Sequence, residues 1–442
     1  MTLHFGTDGV RGVAITEFTP ADALTLGSAA VVALGCDRLL IARDTRRSGS
    51  VLEAALAAGA AAAGARVELL GVLPTPALAH RAQAEGVAAA MVTASHNPFA
   101  DNGVKVFASG GRKLADDVEA RIEALLHADT LPLAGGAAVG EVAVVPGALE
   151  WYVAHVVDTF GAGSLAGMRM VLDCANGAMS AAAPAALRGL GADVTVIHAT
   201  PDGVNINDGC GATAPAALAA EVVRTGAEMG LAFDGDGDRV IAVDHTGTVV
   251  DGDRLIALSA LDLRARGELV KDTVVVTVMT NLGFHRAMAA AGIEVVTTPV
   301  GDRNVLIALE QGGFALGGEQ SGHLIYPALA TTGDGLLAGL VVAELVRRSN
   351  RSLAHLAGEV LVAYPQVLQN VRTGRLPAGV AVSELLAAEI AAAEAELGAD
   401  GRVLVRASGT EALVRVMVEA PTRELAESTA THLSNAVAAK LA

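Results

Sequence analysis

Short apolar runs alternate with longer alanine-rich stretches along most of the chain. Short continuous apolar runs are typical of buried strands, and the stretches between them predict helices that cover a sheet. The first three runs lie at 39–42, 67–70 and 86–92, with helix-forming sequence from about Val51 and again over 77–84. This alternation predicts an α/β layer with a largely parallel sheet.

The same alternation restarts twice and then changes in character. A Gly/Ala/Pro-rich stretch at 131–147 predicts the first boundary, and a third round begins near Gly252. Later runs that predict strands lie at 170–173, 194–197, 231–233, 274–278 and 294–297. After Tyr364 a strand, a long helix over about 380–397, strands at 403–405 and 414–419 and a closing helix predict a smaller α+β unit.

These rounds predict four domains of ordinary size. The expected boundaries are 1–150, 151–251, 252–363 and 364–442. We expect three similar α/β mixed-sheet domains, followed by a smaller α+β C-terminal domain.

Composition narrows the interpretation of the cores and of the partners. Hydrophobic residues make up 52% of the chain but aromatic residues only 3%, so we expect tight contacts between small side chains. The net charge of −17 argues against nucleic acid and anionic lipid as partners. A phosphorylated ligand would therefore need a local cluster of cations.

The chain carries no sequence sign of export. Stretches without charged residues fall short of the ~18 residues that a membrane-spanning helix needs, and the start has no basic segment followed by an apolar core. Three widely spaced cysteines (Cys36, Cys174 and Cys210) indicate neither a disulfide framework nor a zinc site. We expect a cytoplasmic protein without a membrane partner.

The sequence Thr-Ala-Ser-His-Asn-Pro at 93–98 follows a buried apolar run that ends abruptly. Asn97-Pro98 and the following Asp101-Asn102-Gly103 are both turn signals. A serine on such a turn is held by the scaffold yet faces a cleft, which is where a nucleophile has to lie. Alternatively, Ser95 only caps a turn.

Three aspartates, Asp234, Asp236 and Asp238, are separated by single glycines and bordered by apolar sequence. Carboxylates so close together repel one another unless a hard cation neutralises them. A calcium EF-hand loop does not fit, because its sixth position would be Arg239 and its twelfth His245. Three protein oxygens leave open positions on a magnesium ion that binds phosphate, whereas the alternative is a solvated acidic turn.

Three further segments contain residue types that suit a phosphorylated sugar. Glycines surround Arg11 over 5–12, and the mixed polar segment at 317–323 suits hydroxyl-bearing ligands. At 406–415, arginines, hydroxyls and a glycine could form an anion-binding nest. Taken singly, each segment could also be an ordinary surface loop or hairpin turn. Asp44-Thr45-Arg46 follows its strand at the end of the sheet where ligands usually bind.

Together, these segments resemble the α-D-phosphohexomutase superfamily over the whole chain, in the order found in that superfamily. Gln320 stands where phosphomannomutase/phosphoglucomutase relatives usually carry methionine, and 300–303 looks like the glucosamine-type loop. One departure is that the final loop has Ala407 and Ala412 where relatives usually carry prolines.

The resemblance implies four domains around a central cleft and interconversion of glucosamine 6-phosphate and glucosamine 1-phosphate. This reaction feeds UDP-N-acetylglucosamine and peptidoglycan precursor synthesis. Ser95 would be stored as a phosphoserine, and one Mg²⁺ per site would be held by Asp234, Asp236, Asp238 and a phosphoserine oxygen. A sugar 1,6-bisphosphate would be the intermediate and activator. A homodimer and a kinase that first loads Ser95 are further expectations.

The resemblance also implies roles for individual side chains. Arg11, Lys105 and Arg239 would balance charge on the transferring phosphoryl group. His96 or Lys105 would carry the proton, and the sequence leaves that choice open. The implied substrate-binding residues are Asp302, Arg303, Glu319, Ser321, His323, Arg406, Ser408, Gly409, Thr410 and Arg415.

Three other functions stay open from the sequence. The first is a phosphomannomutase/phosphoglucomutase of the same superfamily. The second, from another enzyme class, is a magnesium-dependent sugar phosphatase, and the third is a non-catalytic sugar-phosphate sensor that has kept the fold.

Overall fold

A computed structural model describes residues 9–373, 382–407 and 413–441. The chain divides into two compact units. The first runs up to Val278 and resumes over Ile293–Glu359, and the second takes Met279–Gly292 and the chain from Val360 onward. Within the described ranges no helix combines the length and the apolar character needed to cross a membrane.

Helices and strands alternate through the first unit and into the second. The helices are α1 (Pro20–Leu34), α2 (Gly49–Ala62), α3 (Thr75–Glu85), α4 (Asp116–Leu126), α5 (Ala148–Phe160), α6 (Met179–Gly189), α7 (Ala216–Thr225), α8 (Gly252–Ala265), α9 (Leu282–Ala290), α10 (Asp302–Gly312), α11 (Gly335–Ser349), α12 (Leu353–Val360), α13 (Val382–Leu385), α14 (Ala387–Leu397) and α15 (Arg423–Leu441). The strands are β1 (Val10–Val13), β2 (Arg38–Arg43), β3 (Arg66–Val72), β4 (Ala88–Val92), β5 (Asp101–Ala108), β6 (Arg112–Lys113), β7 (Val142–Val144), β8 (Arg169–Asp173), β9 (Asp193–Ile197), β10 (Met229–Phe233), β11 (Val240–Asp244), β12 (Val249–Val250), β13 (Thr273–Thr277), β14 (Glu294–Thr298), β15 (Gly317–Gly318), β16 (Leu324–Ile325), β17 (Gln366–Arg372), β18 (Arg402–Ala407) and β19 (Leu413–Glu419).

The first sheet has the strand order β1-β5-β4-β2-β3-β7, with β6 paired to β5. Its centre is parallel, since β2 pairs in parallel with both β4 and β3. The β5 strand runs antiparallel to β4 and β1. The sheet is therefore mixed, and parallel strands bring the ends of β2 and β4 to the same edge.

Local signals fix the first helix at both ends. The Thr19 hydroxyl accepts from the Asp22 amide at 3.2 Å, and the Asp22 carboxylate accepts from the Thr19 amide at 2.8 Å, which forms a capping box. Gly35 then closes α1 in a left-handed conformation, with φ of 60°.

Small side chains allow close helix packing, as the low aromatic content predicted. Helices α1 and α2 meet at Gly27 and Gly59. A Cβ on Gly27 would lie 2.1 Å from the Leu56 carbonyl oxygen, and one on Gly59 would lie 1.8 Å from that of Leu24. Only glycine permits this backbone-to-backbone approach.

Two smaller mixed sheets complete the α/β part of the chain. The second has the order β12-β11-β10-β8-β9, and the third β14-β13-β15-β16. Strands β8, β9 and β10 are parallel, whereas β11 returns antiparallel to β10. The loop between β10 and β11 contains Asp234, Asp236 and Asp238.

The second unit contains an antiparallel sheet of order β17-β19-β18. Buried valines of β18 and β19 pack against apolar residues of α14 and α15. Within the same unit, the buried Glu419 carboxylate accepts from the Arg402 side chain at 3.0 Å and from the Leu282 amide at 3.0 Å. Helix α9 is therefore tied to the C-terminal sheet.

One local prediction is wrong. Asp101-Asn102-Gly103 begins strand β5 instead of forming a turn. Gly103 pairs with Arg11 of β1, and a Cβ there would lie 2.2 Å from the Val10 carbonyl oxygen. The glycine reflects close strand approach, which the turn signal does not distinguish.

Candidate active site

Ser95 lies directly after the buried strand β4, in a strained backbone conformation. Its φ is 53°, in the left-handed region that residues other than glycine rarely adopt. The Ser95 hydroxyl donates to Asp234 Oδ2 at 2.7 Å, and the side chains of both residues are buried. The structure thus joins the serine loop to the acidic loop, which lies 139 residues further along the chain.

The buried Arg46 side chain holds the serine loop from behind. Its terminal nitrogens donate to the carbonyl oxygens of Ser95 at 2.9 Å and Asn97 at 2.8 Å, and it also donates to those of Pro98 and Asp101. Asp44 Oδ2 accepts from Arg46 Nε at 2.9 Å. Arg46 therefore supports the loop backbone through its fork of donors.

Two more side chains fix the same loop. The Thr93 hydroxyl donates to Asp44 Oδ2 at 2.7 Å and accepts from the Ser95 amide at 2.9 Å. Asn207 Nδ2 donates to the carbonyl oxygens of Ser95 at 2.9 Å and Asn97 at 3.1 Å. Several independent hydrogen bonds thus hold Ser95 in its strained conformation.

The three aspartates form one buried cluster, called here the aspartate triad (Asp234, Asp236 and Asp238). One carboxylate oxygen from each residue lies within 4.8 Å of the others. Thr75, at the start of α3, donates from its hydroxyl to Asp236 Oδ2 at 2.6 Å. Lys105 Nζ lies 2.8 Å from both Asp236 Oδ2 and Asp238 Oδ2.

The pKa values of two triad members shift in opposite directions. Burial, reinforced by Asp238 and Asp236, raises the pKa of Asp234 to about 8. Burial also acts to raise the pKa of Asp238, but Lys105 and His323 outweigh it and hold that pKa well below the ordinary range. Without a cation, Asp234, which contacts the Ser95 hydroxyl, therefore holds a proton readily near neutral pH, whereas Asp238 stays charged.

A divalent cation fits this donor set. Asp236 Oδ1 and Asp238 Oδ1 are buried without a hydrogen-bond partner, which is costly for a carboxylate unless an ion is bound. Oxygen donors are those that Mg²⁺ prefers, and three of them leave positions for phosphate and water. The triad could therefore hold a magnesium ion.

His323 lies within reach of both the triad and the segment that precedes α10. Its Nδ1 is 3.6 Å from Asp238 Oδ1, and its Nε2 is 3.6 Å from Asp302 Oδ2. Burial lowers the pKa of His323, but Asp238 and Asp302 outweigh it and the net shift is upward. Asp302 also forms an ion pair with Lys113.

The segment at 317–323 is held by backbone contacts. Glu319 Oε1 accepts from the Gly301 amide at 3.0 Å, and the Gly322 carbonyl accepts from the Val240 amide at 2.9 Å. Ser321 is exposed. These contacts hold the predicted sugar-binding segment next to the strand that follows the triad.

Arg303 is engaged with first-domain carboxylates. It forms ion pairs with Glu119 at 2.7 Å and Asp116 at 2.5 Å. A substrate contact by Arg303 would have to coexist with these pairs or replace them.

His96 and Arg239 lie next to the serine and the triad, respectively. Burial, together with Arg239 and Arg11, lowers the pKa of His96 to about 4, so its imidazole is neutral at neutral pH. Arg239 Nε is 3.8 Å from Asp238 Oδ1, and its amide donates to Asp234 Oδ1 at 3.2 Å.

In the second unit, Arg406 of β18 lies directly opposite Arg415 of β19. Burial and then Arg415 lower the pKa of Arg406. Like charges placed directly opposite on paired strands destabilise a sheet, and an anion bound there would offset this repulsion. Ser408, Gly409 and Thr410, predicted for the same site, lie outside the described residues, as do Phe5–Asp8 of the Arg11 segment.

Sequence reasoning missed several supporting residues of the site. Arg46, Thr75 and Asn207 all contact the serine loop or the triad from distant parts of the chain. Another is Tyr152, whose hydroxyl donates at 2.7 Å to Asp334, the N-cap residue of α11. The next residue, Gly335, donates its amide to the Gly237 carbonyl of the triad loop at 3.1 Å. The sequence places Asp44-Thr45-Arg46 at the end of the sheet where ligands usually bind, whereas the contacts assign Arg46 to the loop backbone.

Most of the chain matches models of known protein families. Models of the phosphoglucomutase/phosphomannomutase family match in four parts: α/β/α domain I over 2–132, domain II over 150–247, domain III over 251–364 and the C-terminal domain over 368–436. The chain therefore belongs to the phosphoglucomutase/phosphomannomutase family, whose members are isomerases of the phosphohexomutase superfamily. The resemblance inferred from the motifs is confirmed, and so is a fold of three α/β domains plus a smaller C-terminal domain.

Within this family, the chain is similar over its whole length to phosphoglucosamine mutases. It is 51% identical to that of Frankia alni, covering 100% of this chain and 99% of the relative, and 50% identical to that of Rhodococcus jostii, covering 98% and 99%. The fold is also shared with Aspergillus fumigatus N-acetylphosphoglucosamine mutase, solved in complex with GlcNAc-6P and magnesium. That structure has a TM-score of 0.68 at 19% identity and covers 100% of this chain and 96% of its own.

Proposed function

We propose that this protein interconverts glucosamine 6-phosphate and glucosamine 1-phosphate, as a phosphoglucosamine mutase with a phosphoserine at position 95. The observation that carries the proposal is the 2.7 Å hydrogen bond from the buried Ser95 hydroxyl to Asp234 of the aspartate triad. Identity of about half to phosphoglucosamine mutases over the whole chain supports the choice of sugar.

The aspartate triad would hold Mg²⁺ together with an oxygen of the phosphoserine. The unpartnered oxygens of Asp236 and Asp238 support this assignment. When bound, the ion would offset negative charge on the phosphoryl group. The nearby Lys105, Arg239 and Arg11 would add fixed positive charge on the protein side.

The chain's own groups would carry the transfer in two balanced steps. In the first, the bond between phosphorus and Ser95 Oγ breaks and Oγ takes up a proton, while phosphorus bonds to the substrate O1 as that hydroxyl loses its proton. In the second, Ser95 Oγ loses its proton as it bonds to the C6 phosphoryl group of the bisphosphate, and O6 is released and regains a proton. The neutral imidazole of His96 could accept the proton. Lys105, which faces two carboxylates, is favoured as a charge partner.

The remaining predicted residues would bind the sugar phosphate. Glu319, Ser321 and His323, with Asp302 and Arg303, would contact the sugar. We assign Arg406, Ser408, Gly409, Thr410 and Arg415 to the phosphate that is not reacting. The facing arginines of β18 and β19 support this assignment.

Intact mass of the purified protein tests the nucleophile. We expect an excess of one phosphoryl group, absent in Ser95→Ala, together with a loss of mutase activity of more than about a thousandfold. Ser109→Ala, which changes an exposed serine, should keep both the mass excess and the activity. Full mutase activity in Ser95→Ala would contradict the mechanism.

Substrate comparison separates the alternatives. Glucosamine 6-phosphate should be turned over faster than glucose or mannose 6-phosphate, and a 1-phosphate product should appear. Preference for mannose or glucose phosphates would favour the phosphomannomutase/phosphoglucomutase alternative. Release of inorganic phosphate without a 1-phosphate product would favour a sugar phosphatase, and no turnover at all would favour a sensor.

The remaining expectations belong to the same proposal. A 1,6-bisphosphate should restore activity to dephosphorylated enzyme. A cytoplasmic homodimer, initial loading of Ser95 by a kinase and domain boundaries near 150, 251 and 363 are further parts of it. Light scattering tests the dimer, and limited proteolysis tests the boundaries.

A further inference from the structure

A second cluster of metal-ligating side chains lies in the second domain, away from the aspartate triad. Asp173, His198 and Cys210 each offer one ligand atom, and these atoms all lie within 4.8 Å of one another. Asp173 and Cys210 are fully buried, whereas the His198 side chain is 33% exposed. The exposed imidazole gives an ion a route from solvent to the buried donors.

The fold itself brings the three donors together. Asp173 ends β8, and His198 directly follows the parallel neighbour β9. His198 Nδ1 lies 3.0 Å from Asp173 Oδ2. Cys210 arrives on the loop that follows β9, and this loop is pinned by a 2.9 Å hydrogen bond from the Asn207 amide to the Ala175 carbonyl.

The position of Cys210 is further restricted by its neighbour Gly211. A Cβ on Gly211 would lie 2.5 Å from the Phe233 carbonyl oxygen. The segment therefore lies tight against the end of β10, and the sulfur is fixed beside the carboxylate and the imidazole.

We propose that Asp173, His198 and Cys210 form a binding site for a borderline-soft divalent cation of the zinc class, distinct from the magnesium site of the aspartate triad. Thiolate, imidazole and carboxylate are the three protein ligand types of zinc, and three protein ligands leave one position for water. A thiolate and an imidazole are poor ligands for Mg²⁺, which takes oxygen donors. No sequence pattern indicates this site, because its residues follow no zinc-binding spacing.

Cation binding at this cluster releases a proton. Burial, and then Asp173 and Asp208, raise the pKa of the Cys210 thiol to about 12. The ion takes the place of the thiol proton, and His198 Nδ1, which lies 3.0 Å from Asp173 Oδ2, supplies the second bond. One positive ion then faces both the thiolate and the Asp173 carboxylate. Affinity should rise by up to about tenfold per pH unit, since one proton leaves for each ion bound.

Cobalt(II) titration of the full chain in saturating Mg²⁺ tests the proposal. We expect a thiolate-to-cobalt charge-transfer band in the near ultraviolet, with visible bands of four-coordinate cobalt, and we expect zinc to displace both. The aspartate triad cannot give the charge-transfer band because its ligands are carboxylates. Asp236→Asn should therefore keep it.

Matched variants identify the side chains that bind cobalt. Cys210→Ser should lose the charge-transfer band, and Cys174→Ser, which changes a buried thiol next to Asp173, should keep it. His198→Ala should weaken cobalt binding at least about tenfold, and it serves as the deciding variant if Cys210→Ser does not fold by circular dichroism. No band in the wild-type protein, a band that survives Cys210→Ser, or unchanged affinity in His198→Ala would overturn the proposal. Mutase activity with Mg²⁺ is assayed separately, so failure of this site leaves the proposed function untouched.

Discussion

Two buried charge clusters in the first unit differ in how completely they are paired. In the Asp44–Arg46 pair, Asp44 accepts three hydrogen bonds, from the Arg46 amide at 2.9 Å, Arg46 Nε at 2.9 Å and the Thr93 hydroxyl at 2.7 Å. In the aspartate triad, two carboxylate oxygens accept none. Both clusters contact the Ser95 loop.

This difference indicates that the Asp44–Arg46 pair supports the loop and that the aspartate triad takes part in the chemistry. A buried ion pair with satisfied donors and acceptors is rigid. Removing one partner leaves the other as a buried charge without compensation. Unsatisfied buried carboxylates are unfavourable until a cation binds. The fully hydrogen-bonded cluster thus holds the loop backbone, whereas the triad, which keeps two carboxylate oxygens without a hydrogen bond, is ready for an ion and a phosphoryl group.

Arg46→Met should have the largest effect on stability. It leaves the Asp44 carboxylate buried without its cation and removes the donors to the loop carbonyls, which costs about 3–5 kcal/mol. Urea unfolding measures this loss. Arg112→Met is the matched control, because Arg112 and Glu310 are both exposed in their 3.1 Å pair, and this change should cost at most about 1 kcal/mol. Equal losses in the two variants would contradict a supporting role for Arg46.

Asp236→Asn should instead remove the stabilisation by magnesium. In wild-type protein, Mg²⁺ at a hundredfold excess over its Kd should add about 2.7 kcal/mol, and the variant should lose most of this gain. Without Mg²⁺, we expect a change of no more than about 1 kcal/mol, since the asparagine keeps one acceptor, Lys105 keeps its 2.8 Å pair with Asp238, and a repelling charge is removed. Unfolding with and without Mg²⁺ measures both values. If the metal-free variant lost as much as Arg46→Met, the two clusters would not differ in kind.

Thr75→Val tests one of the few direct hydrogen bonds to the triad. It removes the 2.6 Å bond to Asp236 with little change of shape and should cost about 1.5 kcal/mol. Thr159→Val, at an exposed helix position, should leave the unfolding free energy within about 0.5 kcal/mol. A similar cost at both threonines would argue against a specific role for Thr75.

The smallest effect on stability is expected at a stack of three uncharged aromatic rings. The rings of His80 and His155 are stacked at 3.7 Å, and Trp151 stacks on His80 at 4.7 Å. Burial, and then His155, lower the pKa of His80 to about 4. The unfolded chain therefore binds more protons between about pH 6.5 and 4, so stability should fall as pH falls through this window.

His80→Phe should flatten this acid dependence while it keeps the ring contact. Unfolding free energies at pH 7 and pH 5 measure the slope, and His432→Phe, at an exposed helix position, should leave it as in the wild-type protein. An unchanged slope in His80→Phe would assign the acid sensitivity to other groups.

The parts of the site that consist of consecutive residues could be predicted from the sequence. Ser95 and the aspartate triad lie on short loops directly after buried strands, so local pattern alone locates them. The strand and helix predictions for the α/β part hold for the same reason, as at 170–173, where β8 is Arg169–Asp173.

The contacts that hold the site could not be predicted in this way. Arg46 reaches Ser95 across 49 residues, Asn207 across 112, and Thr75 reaches Asp236 across 161. No local pattern distinguishes a buried arginine that binds loop carbonyls from one that faces a ligand. Asp101–Gly103 shows the same limit, because a turn signal and a close strand contact both select glycine.

The glycine contact between α1 and α2 limits how this protein can be engineered. Replacing helix glycines by alanine is a common route to thermostability, because it reduces the freedom of the unfolded chain. At Gly27 and Gly59 the same replacement would drive a methyl group into the facing backbone. Libraries that aim at a more heat-resistant variant should keep both positions fixed and search the exposed helix surfaces instead.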